Sequence, residues 1–163
     1  MPRPGSAPQA APAAAAGRQP APLSYLGVFH ASPFERIDMI KHGLRAAVAK
    51  RILTDLGIGQ GAGQKALKLF PATINKKARQ DSTLSPAESE RVLGIARMVG
   101  QVEAMVRESG DPAGFDAAAW MSHWLREPLP ALGGARPLDL VDTMEGQALV
   151  STALAQVQSG AYA

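Results

Sequence analysis

Lys65, Lys68, Thr73, Asn75, Lys76, Lys77 and Arg79 crowd one short stretch, and no carboxylate lies between Asp55 and Asp81. Lysine and arginine neutralise phosphates, while Asn, Thr, Arg and Lys on a helix that fits the major groove can reach base edges. The chemistry these types imply is DNA binding. Asn75 is the expected adenine reader, because its amide can pair with the adenine edge in two places. The elements needed to position them are two short helices and a tight turn. A helix near residues 64–68, a turn at Leu69-Phe70 and a helix over residues 71–79 opened by Pro71 give the helix-turn-helix outline. Leu67, Leu69 and Ile74 are the apolar residues expected to lock the two helices together. The competing reading makes Lys76, Lys77 and Arg79 a solvated helix face. The adjoining turn and the local lack of carboxylates favour DNA.

No other grouping supports catalysis. The histidines are His30, His42 and His123, and none has a second ligand at metal spacing. His123 lies between two tryptophans, as a packing or surface residue. Asp139 and Asp142 could pass for paired carboxylates, but charge near a helix start and solubility explain them as well. The glycine-rich run over residues 57–63 follows a helix rather than a strand, so it reads as a connector and not as a dinucleotide loop. There is no nucleophile elbow or phosphate loop. The chain is expected not to be an enzyme and to need no cofactor or metal.

The charge is unevenly spread. Up to residue 80 there are 12 Lys/Arg against 3 Asp/Glu, and from Asp81 onward 5 against 11. A basic half suits a polyanion and an acidic half repels one, so two different partners are expected. Aromatic residues are 5% of the chain, Ala and Leu are common and β-branched residues are sparse, which favours helices over sheets. With no cysteine, disulfides and thiolate metal sites are impossible, and a cytoplasmic location is the plain expectation. No apolar run reaches the roughly 18 residues of a membrane span. Residues 1–22 are Ala/Pro-rich, with Pro2, Pro4, Pro8, Pro12, Pro20 and Pro22 opposing a targeting helix. Their composition predicts disorder.

Caps and apolar spacing set out the remaining elements. Ser32-Pro33-Phe34-Glu35 is a capping box with proline at the first helical position, followed by Ile37, Ile40 and Leu44 on one face. A second helix over residues 44–56 places Val48, Ile52 and Leu56 four apart, and Gly57 stops it. Ser85-Pro86-Ala87-Glu88 is another capping box, opening a long helix to Glu108. Asp111-Pro112 predicts a third helix start, leading to Trp120, Trp124 and Leu125. A loop over residues 127–136 and a short turn at residues 138–141 precede a last helix. Thr143 caps that helix, and Val150, Leu154 and Val157 share its face. Gly160 ends it.

From Leu84 onward the chain resembles the MbcA/ParS/Xre antitoxin family, which pairs with RES-domain toxins. The resemblance is carried by residues 84–91 (LSPAESER), Trp124-Leu125-Arg126, Leu132-Gly133-Gly134 and Pro137-Leu138-Asp139-Leu140. Thr143, Gly146 and Gly160-Ala161-Tyr162-Ala163 complete it. Thr73-Ile74-Asn75-Lys76-Lys77 is similar to the family's recognition-helix segment, with lysines where arginines are more usual. The resemblance implies an all-α fold with an N-terminal Xre-like helix-turn-helix domain and a C-terminal small helical toxin-binding domain. The expected boundaries are 1–22 (disordered), 23–108 (DNA binding and dimerisation) and 109–163 (toxin binding with a C-terminal tail).

The partner it implies is a RES-domain toxin that consumes NAD or transfers ADP-ribose from it. The chain's C-terminal residues would enter the toxin's active-site cleft and exclude the dinucleotide. A homodimer within a toxin–antitoxin hetero-oligomer would bind operator DNA and repress its own operon. The toxin-binding set is Trp120, Trp124, Leu125, Arg126, Leu132, Gly133, Gly134, Pro137, Leu138, Gly160, Ala161, Tyr162 and Ala163. Trp is favoured as an interface anchor, yet a small core claims at least one of the two. The closing tail reads as an aromatic anchor on a glycine hinge or as a frayed terminus. The alternative function is a helix-turn-helix regulator whose C-terminal half is a dimerisation bundle with no toxin partner.

Overall fold

The computed structural model describes residues 22–58 and 65–160. The expectations for residues 1–21, the glycine-rich run beyond Ile58 and Ala161-Tyr162-Ala163 lie outside the described residues. Seven α-helices are described: α1 (Tyr25–His30), α2 (Pro33–His42), α3 (Ala46–Asp55), α4 (Pro71–Arg79), α5 (Pro86–Glu108), α6 (Ala117–Trp124) and α7 (Met144–Gln158). Short 3₁₀ turns lie at Pro130–Leu132 and Pro137–Asp139. Among the described residues there is no strand, and one isolated bridge joins Arg45 to Thr83.

The long helix α5 is the axis of the fold. Ser85 and Glu88 cap it reciprocally, with Pro86 in the first turn. Val92, Leu93, Ile95, Ala96, Met98, Val99 and Val102 are all buried, so its middle is apolar nearly all round, as a helix enclosed by others must be. It packs against α1, α2, α3, α6 and α7. Gly100 is where α1 crosses: a Cβ there would lie 2.1 Å from the Tyr25 carbonyl oxygen. α3 packs on α4. One continuous apolar cluster runs from Ile52, Leu53 and Leu56 through the α5 residues to Met121, Leu125, Val150 and Leu154.

Polar bonds inside the core set the register between elements. The Ser89 hydroxyl accepts the Leu44 N–H at 2.8 Å. Gln147 of α7 donates to the carbonyls of Arg91 (3.1 Å) and Val141 (2.9 Å). Its amide lies against Gly94, where a Cβ would stand 1.8 Å from Oε1. Gln101 and Ser151 exchange two further bonds between α5 and α7.

Three sequence expectations need correction. The helix after α5 does not begin at Asp111-Pro112. Gly110 and Gly114 take φ of +100° and +77°, and the Asp111 carboxylate accepts from Ala113 N two residues on, an Asx turn. The cap is Asp116, which accepts from Ala119 N at 2.9 Å. The α2 face is weaker than its spacing predicts: no residue of α2 is buried, and Ile37 is 43% exposed. α3 is also shorter than the expected 44–56. Leu44 is drawn into the pairing with Leu84, and Arg45 stands at the N-cap without a side-chain bond to the helix N-terminus.

Candidate functional site

Residues 65–66 are helical and residues 67–68 turn into α4. Leu67, Leu69 and Ile74 are buried and join this turn to the core. Lys68 takes a left-handed φ of +50°. Arg91 of α5 clamps the turn, donating Nε–H to the Leu67 carbonyl at 2.8 Å and reaching the Lys68 carbonyl at 3.4 Å. The Lys68 ammonium meets Asp142 at 2.7 Å. That bond holds the Asp142 carboxyl below the usual aspartate range.

The basic residues therefore divide. Lys65, Asn75, Lys76 and Arg79 are exposed, and Thr73 is half-buried. Lys68 points its charge at Asp142. Lys77 is ion-paired with Glu88 at 3.1 Å, fastening α4 to the capping box of α5. Burial opposes ionisation of Glu88, but the Ser85 N–H and the Lys77 ammonium outweigh it and lower the Glu88 pKa. Arg91 was legible only as part of the family-like string. Its two bonds span 24 and 23 residues, and no local pattern signals them.

The C-terminal set divides as well. Trp120 and Trp124 stack with ring centroids 5.9 Å apart. Trp124, Leu125, Pro137 and Leu138 are buried, and the Leu138 N–H donates to the Leu125 carbonyl at 2.9 Å. Trp124, Leu125 and Leu138 belong to the continuous apolar core. Trp120 is half-buried and lines a groove of about 470 Å³ with Phe115, Val106 and Val157. Arg126 is exposed and donates to Ser122 Oγ at 2.6 Å and to the Gly57 carbonyl at 3.1 Å, tying α6 to the end of α3. Leu132 is half-buried. Gly133 and Gly134 have φ of +65° and +84°, a conformation that favours glycine. Gly160 has φ +69° and is exposed.

The possible carboxylate pair is separated by its cations: Asp139 is held bidentately by Arg136 at 2.8 Å, and Asp142 by Lys68. His30, His42 and His123 are exposed. Among the described residues, no group of three or more His, Cys, Asp or Glu is placed to hold a metal, and no helix is long and apolar enough to cross a membrane.

Residues 35–97 match the family described as the antitoxin Xre-like helix-turn-helix domain. Residues 109–160 match the antitoxin Xre/MbcA/ParS C-terminal toxin-binding domain. The chain is 54% identical over 149 residues to the Prs ADP-ribosylating antitoxin of Sphingobium sp. (strain YBL2), covering 91% of this chain and 94% of that protein. The chain belongs to the Xre/MbcA/ParS antitoxin family. The first match covers α2, α3, α4 and the start of α5, including the clamped turn. The second begins at Ser109, directly after α5 ends, and contains the Trp120–Trp124 stack and the 133–134 glycine pair. As a family member the chain is an antitoxin with a helix-turn-helix domain and a toxin-binding domain.

Proposed function

We propose that this antitoxin neutralises a RES-domain toxin by placing its C-terminal residues in the toxin's NAD-binding cleft, and represses its own operon through the helix-turn-helix. The observation that carries the reading is the toxin-binding match over residues 109–160. The name of the Sphingobium relative includes ADP-ribosylation, which favours an ADP-ribose-transferring partner over one that merely consumes NAD. Residues 109–163 then serve the toxin and residues 23–108 serve DNA and dimerisation, in a cytoplasmic hetero-oligomer built on an antitoxin homodimer.

Within the C-terminal set, the buried Trp124, Leu125, Pro137 and Leu138 shape the domain. Trp120, Arg126, Leu132, Gly133, Gly134 and residues 160–163 are the groups left to meet the toxin. Within the basic set, Lys65, Thr73, Asn75, Lys76 and Arg79 face DNA, while Lys68 and Lys77 brace the turn.

Co-expression with the neighbouring toxin gene, scored by growth, tests this. The full chain restores growth, and deletion of Gly160–Ala163, which removes no buried residue among those described, abolishes rescue at matched expression. Full rescue by the truncated chain overturns the tail as the blocking element.

A further inference from the structure

Lys50 of α3 was not singled out by the sequence, yet it lines a shallow hollow with Asn75 and Arg79 of α4. All three side chains are exposed. The hollow is therefore built from two helices that pack on each other, so its groups are held by the fold and not by one flexible segment. Carboxylates on and around α3 and α4 have other partners: Asp55 accepts from Tyr25 Oη at 2.6 Å, Asp81 is ion-paired with Arg45, and Glu88 is ion-paired with Lys77. Among the described residues, neither Lys50 nor Arg79 has a carboxylate within ion-pair distance. Two cations and a carboxamide with two N–H donors are the groups that recognise a phosphate oxygen.

We propose that Lys50, Asn75 and Arg79 form an anion seat that takes one phosphodiester of the DNA backbone. Asn75 then donates its amide to phosphate and does not read adenine, which replaces the sequence expectation. The proposal rests on the DNA-binding reading above and gives it a specific contact. The same chemistry would accept free phosphate, so the two sources need separate arms.

The test uses the full chain and gel-shift titration on a duplex from its own promoter and on a scrambled duplex. Lys50→Ala keeps the helix, since Ala is the best helix former; unchanged circular dichroism checks this. Removing one phosphate contact shrinks the slope of log affinity against log salt by about 0.9 per protomer engaged. For each protomer engaged, the affinity lost between about 50 and 200 mM salt then becomes about 3.5-fold smaller than in the wild type. The change is equal on both duplexes, and Lys50→Arg restores the slope. A scan of neutral methylphosphonate linkages finds a position that weakens the wild type but not Lys50→Ala.

In the second arm, inorganic phosphate is titrated while the Asn75 side-chain amide is followed by NMR. A shift abolished by Lys50→Ala supports the seat. If the wild type binds no duplex but shows this shift, the DNA reading fails and the seat is a free-phosphate site. An unchanged salt slope for Lys50→Ala overturns the backbone contact. So does a loss for Asn75→Ala confined to the promoter sequence, which returns Asn75 to base reading.

Discussion

The two halves of this antitoxin use their characteristic residues in opposite ways. In the helix-turn-helix, the residues expected to make contacts are mostly exposed, and a few cations brace the turn from behind. In the toxin-binding domain, much of the family-like string is interior: Trp124, Leu125, Pro137 and Leu138 are buried. A charged side chain resists burial unless it is paired, so a basic motif stays at the surface. An apolar motif in a domain this small is drawn into the core. A motif residue in the first half is thus a contact by default, and one in the second half is scaffold by default.

Leu125→Ala should give the largest effect. Leu125 is 1% exposed, and truncating a core leucine costs about 2–5 kcal/mol. Denaturant unfolding should show that loss, with toxin neutralisation falling because less protein is folded. Trp120→Ala should do the reverse, leaving stability much less altered while weakening toxin binding by about 2 kcal/mol or roughly 30-fold, as loss of an aromatic anchor does. Calorimetric titration of toxin beside a thermal melt separates the two. A Trp120→Ala chain that is badly destabilised but binds normally would place Trp120 with the scaffold.

Glu88 sharpens the comparison on the basic side. Its folded pKa lies below the ordinary glutamate value of 4.5. Its ionised form therefore stabilises the fold fully above that value, and the contribution is lost as pH falls through the folded pKa. Glu88→Gln should flatten this acid limb in melting temperature against pH, with little effect on promoter affinity at neutral pH. The smallest effect is expected for Asp142→Asn, which removes the ion pair to Lys68. The Lys68 side chain is 67% exposed, so the stability change should stay below about 1 kcal/mol. Its DNA readout is different in kind: Lys68 is freed at the turn, and promoter affinity should rise slightly at low salt.

Local signals were legible in the sequence. The capping boxes at Ser32 and Ser85 and the cap at Thr143 are written in a few consecutive residues, and the structure contains each. Asp111 looked equivalent but is not, because the flanking Gly110 and Gly114 allow a turn that takes up its carboxylate. What the sequence hid is long-range. Which lysine is free and which is paired depends on Asp142 and Glu88, brought in by folding. Lys50 gains its neighbours only when α3 meets α4. Gly94 looks like a flaw in a good helix until Gln147 is seen occupying its place.

Growth rescue by a Lys65→Ala/Lys76→Ala/Arg79→Ala chain, co-expressed at matched level with a toxin that the wild-type chain neutralises, tests the division of labour most directly. The three residues are exposed in the basic half. Full rescue is expected from a chain whose promoter binding is largely lost. Failure of rescue by this variant, with its helicity intact, would contradict the claim that the two halves serve separate partners.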